Sequence, residues 1–186
     1  TMLASSFRLL SKAKPAARTT KVQRRKYADI PKDVLGIKAT LRSKEGTVEA
    51  SKLFEKKKVV VVGVPGAFTP VCSSKHIPPF IQNVDAFKSK GVDEVIVVSV
   101  NDHHVMNAWE NSLNAGGKVK FLADPNGEFT RGVGQELDLT AGGLGKRSQR
   151  YSFYVDNGKV VHQMVEKSPG DLTESTADAM LAALKK

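Results

Sequence analysis

The chain has 186 residues, 26% of them charged and 40% hydrophobic, with one cysteine and a formal net charge of +10. That length fits one domain with an appendage. No apolar run approaches the roughly 18–20 residues that cross a bilayer, and a single cysteine excludes an intrachain disulfide or a multi-cysteine zinc site.

The charge is unevenly spread. Arg8, Lys12, Lys14, Arg18, Lys21, Arg24, Arg25 and Lys26 lie in residues 1–27 without one Asp or Glu, leaving 21 of the 29 basic residues against 19 acidic ones. The body is therefore close to neutral, and no nucleic acid or other polyanion partner is expected. Thr1 precedes Met2 and reads as an addition outside the gene product. From Met2 the segment is basic and rich in Ser, Thr and Ala, with Leu3, Phe7 and Leu10 at helical spacing, which describes a mitochondrial presequence. Arg25-Lys26-Tyr27-Ala28 suits a matrix-protease cut between Tyr27 and Ala28. The expected plan is a presequence at 1–27 and a folded domain at 28–186, delivered to the mitochondrial matrix. The alternative for the leader is a basic tail that binds lipid or RNA; no stable membrane association is expected.

Val34–Leu41 and Thr47–Ala50 read as strands joined by Ser43-Lys44-Glu45-Gly46. Val59-Val60-Val61-Val62 follows, a β-branched run without alternation, as in a strand buried on both faces. Residues 70–90 read as helical, broken in two by Pro78-Pro79. Glu94–Val100 is a second buried strand. Asp102–Asn114 is a helix capped by Asn101 or Asp102, ending near Gly116-Gly117. Lys118–Asp124 is a strand, and Glu128–Val133 a short helix after the turn Asp124-Pro125-Asn126-Gly127. Leu139–Arg147 reads as a loop. Tyr151–Val155 and Lys159–Val165 form a hairpin about Asp156-Asn157-Gly158. A last helix runs over Thr173–Leu184 with Asp171 as its cap. Trp109 and the phenylalanines read as core. This order defines an α/β domain of thioredoxin-like fold: a central mixed β-sheet flanked by helices, parallel strands first and an antiparallel hairpin last.

Cys72 stands in Gly63-Val64-Pro65-Gly66-Ala67-Phe68-Thr69-Pro70-Val71-Cys72, between the valine strand and a helix. The unpaired N–H groups and dipole of a helix start favour thiolate, the nucleophilic form, over thiol. A free cysteine is otherwise a small buried hydrophobe. Keeping a cysteine ionised near neutrality takes about 3–4 kcal/mol of selective anion stabilisation, and a helix terminus supplies about 0.3–2. A guanidinium and a hydroxyl donor must supply the rest. Read alone, Pro65 and Thr69 serve equally as turn and cap residues, and Arg131, Arg147 and Arg150 as surface ion-pair partners. His76, one turn beyond Cys72, suits a structural hydrogen-bonding role, and His103-His104 a solvated helix start.

The stretch from Gly63 to Phe80 resembles the peroxiredoxins, in particular the peroxiredoxin five or type II subfamily. Ser99-Val100-Asn101-Asp102, Leu122–Gly127, Arg150-Tyr151 and Val155–Val160 extend the likeness, which covers Pro31 to the C-terminus. The resemblance implies a thiol-dependent peroxidase reducing hydrogen peroxide and alkyl hydroperoxides, with neither cofactor nor metal. It makes Cys72 the peroxidatic cysteine, Thr69 the hydroxyl on thiolate and substrate, Pro65 the shield against water, and Arg150 the guanidinium on thiolate and peroxide. It also implies a homodimer. Many relatives carry a second, resolving cysteine; this chain has none, and Glu166–Glu174, where some place it, is cysteine-free. The expected cycle therefore takes Cys72 to a sulfenic acid, recycled by an external thiol: glutathione with glutaredoxin, or thioredoxin. The alternative is a redox sensor or holdase without significant turnover, which would stop after about one equivalent of peroxide.

Overall fold

The valine run lies in β3 (Lys58–Val64), near the middle of the seven-stranded sheet of the computed structural model, which describes residues 29–184. The presequence expected at 1–27 and the cut at Tyr27-Ala28 lie outside those residues. Val60, Val62 and Val64 enter one apolar core and Val59 and Val61 the other, all fully buried. This is why the run shows no polar alternation.

The sheet is ordered β2-β1-β5-β4-β3-β8-β9. Its parallel centre joins β3 to β4 (Glu94–Ser99) and β4 to β5 (Lys120–Ala123). On one side the hairpin β8 (Tyr151–Asp156) and β9 (Lys159–Val165) adds antiparallel strands. On the other, β1 (Thr40–Ser43) and β2 (Gly46–Glu49) do the same. One core packs α2 (Ile77–Gln82), α3 (Val84–Ser89), α4 (His103–Ser112) and α6 (Ala177–Ala183) through Ile77, Phe80, Phe87, Trp109 and Met180. The other packs α1 (Ala50–Phe54) and α5 (Glu128–Gly132) through Phe54 and Phe129.

Several expectations are corrected. The first strand begins at Thr40 rather than Val34, because the Asp33 carboxylate takes the Leu35 N–H at 2.9 Å and turns the chain there. Ala50 starts a helix and is not in a strand. Pro78 and Pro79 do not break the helix. They lie where a wider, π-helical turn gives way to α2, so the helical path runs on through them, and the break falls at Asn83. Residues 139–147 are not wholly loop: β6 (Glu136–Asp138) and β7 (Lys146–Ser148) pair as a small second sheet. The last helix starts at Ala177, capped by Thr176 rather than Asp171. The Glu166 carboxylate accepts the N–H groups of Thr173, Glu174 and Ser175, which holds those residues in a turn instead.

Gly63 lies opposite Tyr151 in the β3–β8 ladder, and a Cβ there would stand 2.1 Å from the tyrosine Cζ. Neither strand can yield within the sheet. Gly63→Ala is expected to lower stability by about 1–3 kcal/mol or more, read as a lower urea midpoint with an unchanged slope.

Candidate active site

The chain leaves β3 at buried Pro65 and enters a tight turn. Thr69 closes it, its hydroxyl donating to the Gly66 carbonyl at 2.9 Å. Asn101 clamps the turn from the end of β4: its Oδ1 accepts the Ala67 N–H at 3.0 Å and the Ser99 hydroxyl at 2.7 Å. Asp102, with its carboxylate on the Val105 N–H, is the cap of α4. A side chain at Gly66 would crowd Thr69 Cγ2 and Arg147 Nη1, at 3.1 and 3.2 Å. Phe68 departs from the expected core role. It is 54% exposed at a left-handed φ of 59°, tilted against Trp109 with ring centroids 6.5 Å apart.

Helix begins at Pro70 and passes into a π-helical turn over Cys72–His76 before α2. Such wide turns recur at functional sites. Cys72 is fully buried and shares its core with Val64, Ile77 and Phe80. The next residue, Ser73, accepts the Trp109 indole N–H at 2.9 Å.

The Gly63–Tyr151 pairing brings the start of β8 beside the end of β3, and so delivers Arg150 to Cys72 across 78 residues of sequence. Arg150 Nη1 donates to the Cys72 sulfur at 3.4 Å and to His76 Nδ1 at 3.2 Å. Its Nε and Nη2 both donate to the Pro169 carbonyl, at 3.2 and 2.8 Å. The guanidinium is only 2% exposed, and among the described residues no carboxylate forms a salt bridge with it.

His76 is 1% exposed, with its Nε2 2.9 Å from the Ser175 carbonyl. A carbonyl only accepts, so Nε2 carries the proton and Nδ1 offers a lone pair to Arg150. Burial pushes its pKa down to about 4, with the Arg150 charge helping and the Ser175 carbonyl and Glu166 opposing. Glu166 behaves differently. Burial resists its ionisation, but hydrogen bonds from Ser175, Thr173 and Glu174 outweigh that and hold the carboxyl below its ordinary range.

Of the four expected site residues, Cys72 and Arg150 are in contact. Thr69 closes the preceding turn with its proton on Gly66 rather than on sulfur, and Pro65 is buried where that turn begins. Arg147 and Arg131 stand apart from the sulfur, on the Val100 carbonyl and on Glu136. The clefts of about 320 and 390 Å³ border the β1–β2 hairpin and are lined by none of the residues around Cys72. Sequence reasoning missed Asn101, Glu166 and Pro169 as partners of the site. Asn101 had a signal, adjoining Asp102 in a stretch already matched; the other two act through contacts that only folding creates.

A thioredoxin-like sheet with one buried thiol held by an arginine at the end of a central strand defines a thiol-based redox enzyme. A family model described as Redoxin matches residues 19–181. Peroxiredoxin-2B of Arabidopsis thaliana is 50% identical over 138 residues, 74% of this chain and 85% of that protein. Peroxiredoxin-2F, mitochondrial, from the same plant is 43% identical over 142 residues, 76% and 71% of the two chains. The crystal structure of reduced Prx3 in complex with H2O2 from Vibrio vulnificus aligns with a TM-score of 0.74 at 42% identity, covering 86% of this chain and 97% of that one. The chain belongs to the redoxin family, among its type II, peroxiredoxin-five-like members, and is a thiol-dependent peroxidase.

The His76 shift has a thermodynamic consequence. Between about pH 6.5 and pH 4 the unfolded chain binds a proton on His76 that the folded chain refuses, so stability rises with pH across that window. Urea denaturation across the window is expected to show wild type losing up to about 3 kcal/mol more than His76→Asn as pH falls.

Proposed function

We propose that Cys72 is the peroxidatic residue of this peroxidase and that Arg150, Thr69 and Pro65 serve it. The observation that carries this reading is an arginine only 2% exposed, its guanidinium 3.4 Å from the sulfur and without a carboxylate salt-bridge partner among the described residues. A buried cation needs a compensating anion. The thiolate is the group placed to provide it, so the charge that would destabilise the fold favours the reactive form of the cysteine.

The reaction follows from that pairing. The thiolate attacks the terminal oxygen of hydrogen peroxide or an alkyl hydroperoxide, an S–O bond forms and the O–O bond breaks. The leaving oxygen gathers negative charge, takes a proton, and departs as water or alcohol, leaving Cys72 as sulfenic acid. Arginine has five N–H donors; four find Pro169, Cys72 and His76 here, leaving one on Nη2 for the developing oxyanion. With its proton on Gly66, Thr69 Oγ1 presents lone pairs that accept the peroxide O–H. Pro65, buried and without an N–H, adds no backbone donor that would draw water toward the sulfur.

With one cysteine in the chain, an external thiol completes the cycle. It displaces water from the sulfenic acid to give a mixed disulfide, and a second thiol releases Cys72. Glutathione with glutaredoxin, or thioredoxin, fits this step. The acid-free leader and the likeness to Peroxiredoxin-2F, mitochondrial, support import into the mitochondrial matrix with residues 1–27 as the presequence. Exposed Phe68 and Leu144, on adjoining loops, support a homodimer through that face.

Peroxide consumption with each reductant tests the scheme. Wild type turns over many equivalents, Cys72→Ser none, and Arg150→Ala reacts about 10²–10³-fold more slowly. Full reactivity in Arg150→Ala would refute the arginine role, and arrest after one equivalent would make the protein a sensor. Sequencing the mature N-terminus from mitochondria is expected to begin at Ala28.

A further inference from the structure

We infer that His76 is a positioning residue for the peroxidase reaction: its neutral ring, oriented by the Ser175 carbonyl, sets the tilt of the Arg150 guanidinium on the Cys72 sulfur. This rests on the roles proposed above for Cys72 and Arg150, and adds what keeps the two in register.

The fork of the arginine is held along two edges. Nε and Nη2 share one acceptor, the Pro169 carbonyl. One atom anchors that edge of the plane and leaves the other edge free to swing. The second anchor is His76 Nδ1, on the far edge at Nη1. With both in place, the remaining Nη1 proton is directed at the sulfur. Without the second, a buried N–H loses its acceptor, and the plane turns to satisfy it elsewhere.

The ring is itself over-determined. Ser175 holds Nε2 through its carbonyl, with its hydroxyl 3.4 Å away. Phe80 of α2 packs edge-on with centroids 5.7 Å apart. Ser175 is fixed in turn by Glu166, which accepts its N–H at 2.7 Å and its hydroxyl at 2.8 Å. Hydrogen bonds thus form every link from Glu166 through Ser175, His76 and Arg150 to Cys72. The ring faces Arg150, Ser175 and Phe80, and Glu166 is the carboxylate whose charge reaches it. Neutrality is part of the function, because a protonated Nδ1 would point a donor at the guanidinium. A histidine that merely filled space would need neither this tautomer nor an acceptor at Nδ1.

Three substitutions separate these roles. His76→Leu removes both polar contacts, His76→Gln keeps an N–H within reach of Ser175 but offers no acceptor at Nδ1, and His76→Asn keeps a carbonyl near Nδ1. The readout is the second-order rate of Cys72 oxidation by hydrogen peroxide as a function of pH, on variants whose circular dichroism is native. His76→Leu and His76→Gln are expected to slow oxidation about 10- to 100-fold and move the rise of rate to higher pH, while His76→Asn recovers most of the rate. In an Arg150→Ala background, His76→Gln is expected to change the rate less than about twofold, because the histidine acts through the arginine. His76→Gln at the wild-type rate, His76→Asn as slow as His76→Gln, or losses that multiply in the double variant would overturn the inference. Should His76→Leu not fold, the two amide variants decide. Wild type that reacts while His76→Gln keeps pace defeats this inference alone; wild type inert at Cys72 defeats the underlying reading.

Discussion

A buried guanidinium that forms no salt bridge with a carboxylate among the described residues is the constraint around which the site is organised. Leaving Arg150 unpaired would cost several kcal/mol, yet its neighbours are a carbonyl, a neutral imidazole and a sulfur. Carbonyl and imidazole satisfy hydrogen-bonding capacity without cancelling charge. Glu166, the carboxylate whose charge reaches His76, spends its acceptors on backbone and hydroxyl donors of residues 173–175. The positive charge therefore remains available to the sulfur.

Sheet topology makes that arrangement possible. Cys72 follows the first strand of the parallel centre, and Arg150 opens a strand that pairs antiparallel with it. Antiparallel pairing brings the end of one strand to the start of the other, so residues far apart in sequence meet at one end of the sheet. The segment after β9 then returns over the same end and contributes Pro169 and Ser175. Two turns supply the rigidity: the Pro65–Thr69 turn, clamped by Asn101, and the 166–175 turn, folded around a carboxylate. Neither is regular secondary structure; the first leads into the turn of Cys72 and the second supplies the carbonyls that hold Arg150 and His76.

The sheet was legible wherever local pattern and tertiary environment agree. The valine run, the Asp156-Asn157-Gly158 hairpin and the helix capped at Asp102 each carry a signal contained within a few residues. Misreadings occurred where a distant group intervened. Asp171 looks like a helix cap until Glu166 claims the N–H groups of residues 173–175. Phe68 looks like core until the turn beneath it forces a left-handed backbone. The place of Cys72 after the strand and before the helix was legible, but by itself it suits a small buried hydrophobe as well, and the surrounding Gly63–Phe80 stretch singled it out. The choice of Arg150 over Arg147 and Arg131 came from likeness to known sequences, since spacing alone cannot rank three arginines. His76 and Glu166 became partners only through the close approach of β8 to the π-helical turn, which no periodicity encodes.

The indole hydrogen bond to Ser73 has a spectroscopic corollary. Trp109 is the single tryptophan of the chain, it is buried, and its N–H is tied to Ser73, the residue immediately following Cys72. Its ring also leans on Phe68 and Phe121 from two sides. Ultraviolet emission from this protein therefore arises chiefly from a chromophore anchored to the π-helical turn that carries Cys72. Any reorganisation of that turn reaches the fluorophore through a direct hydrogen bond, without an introduced label.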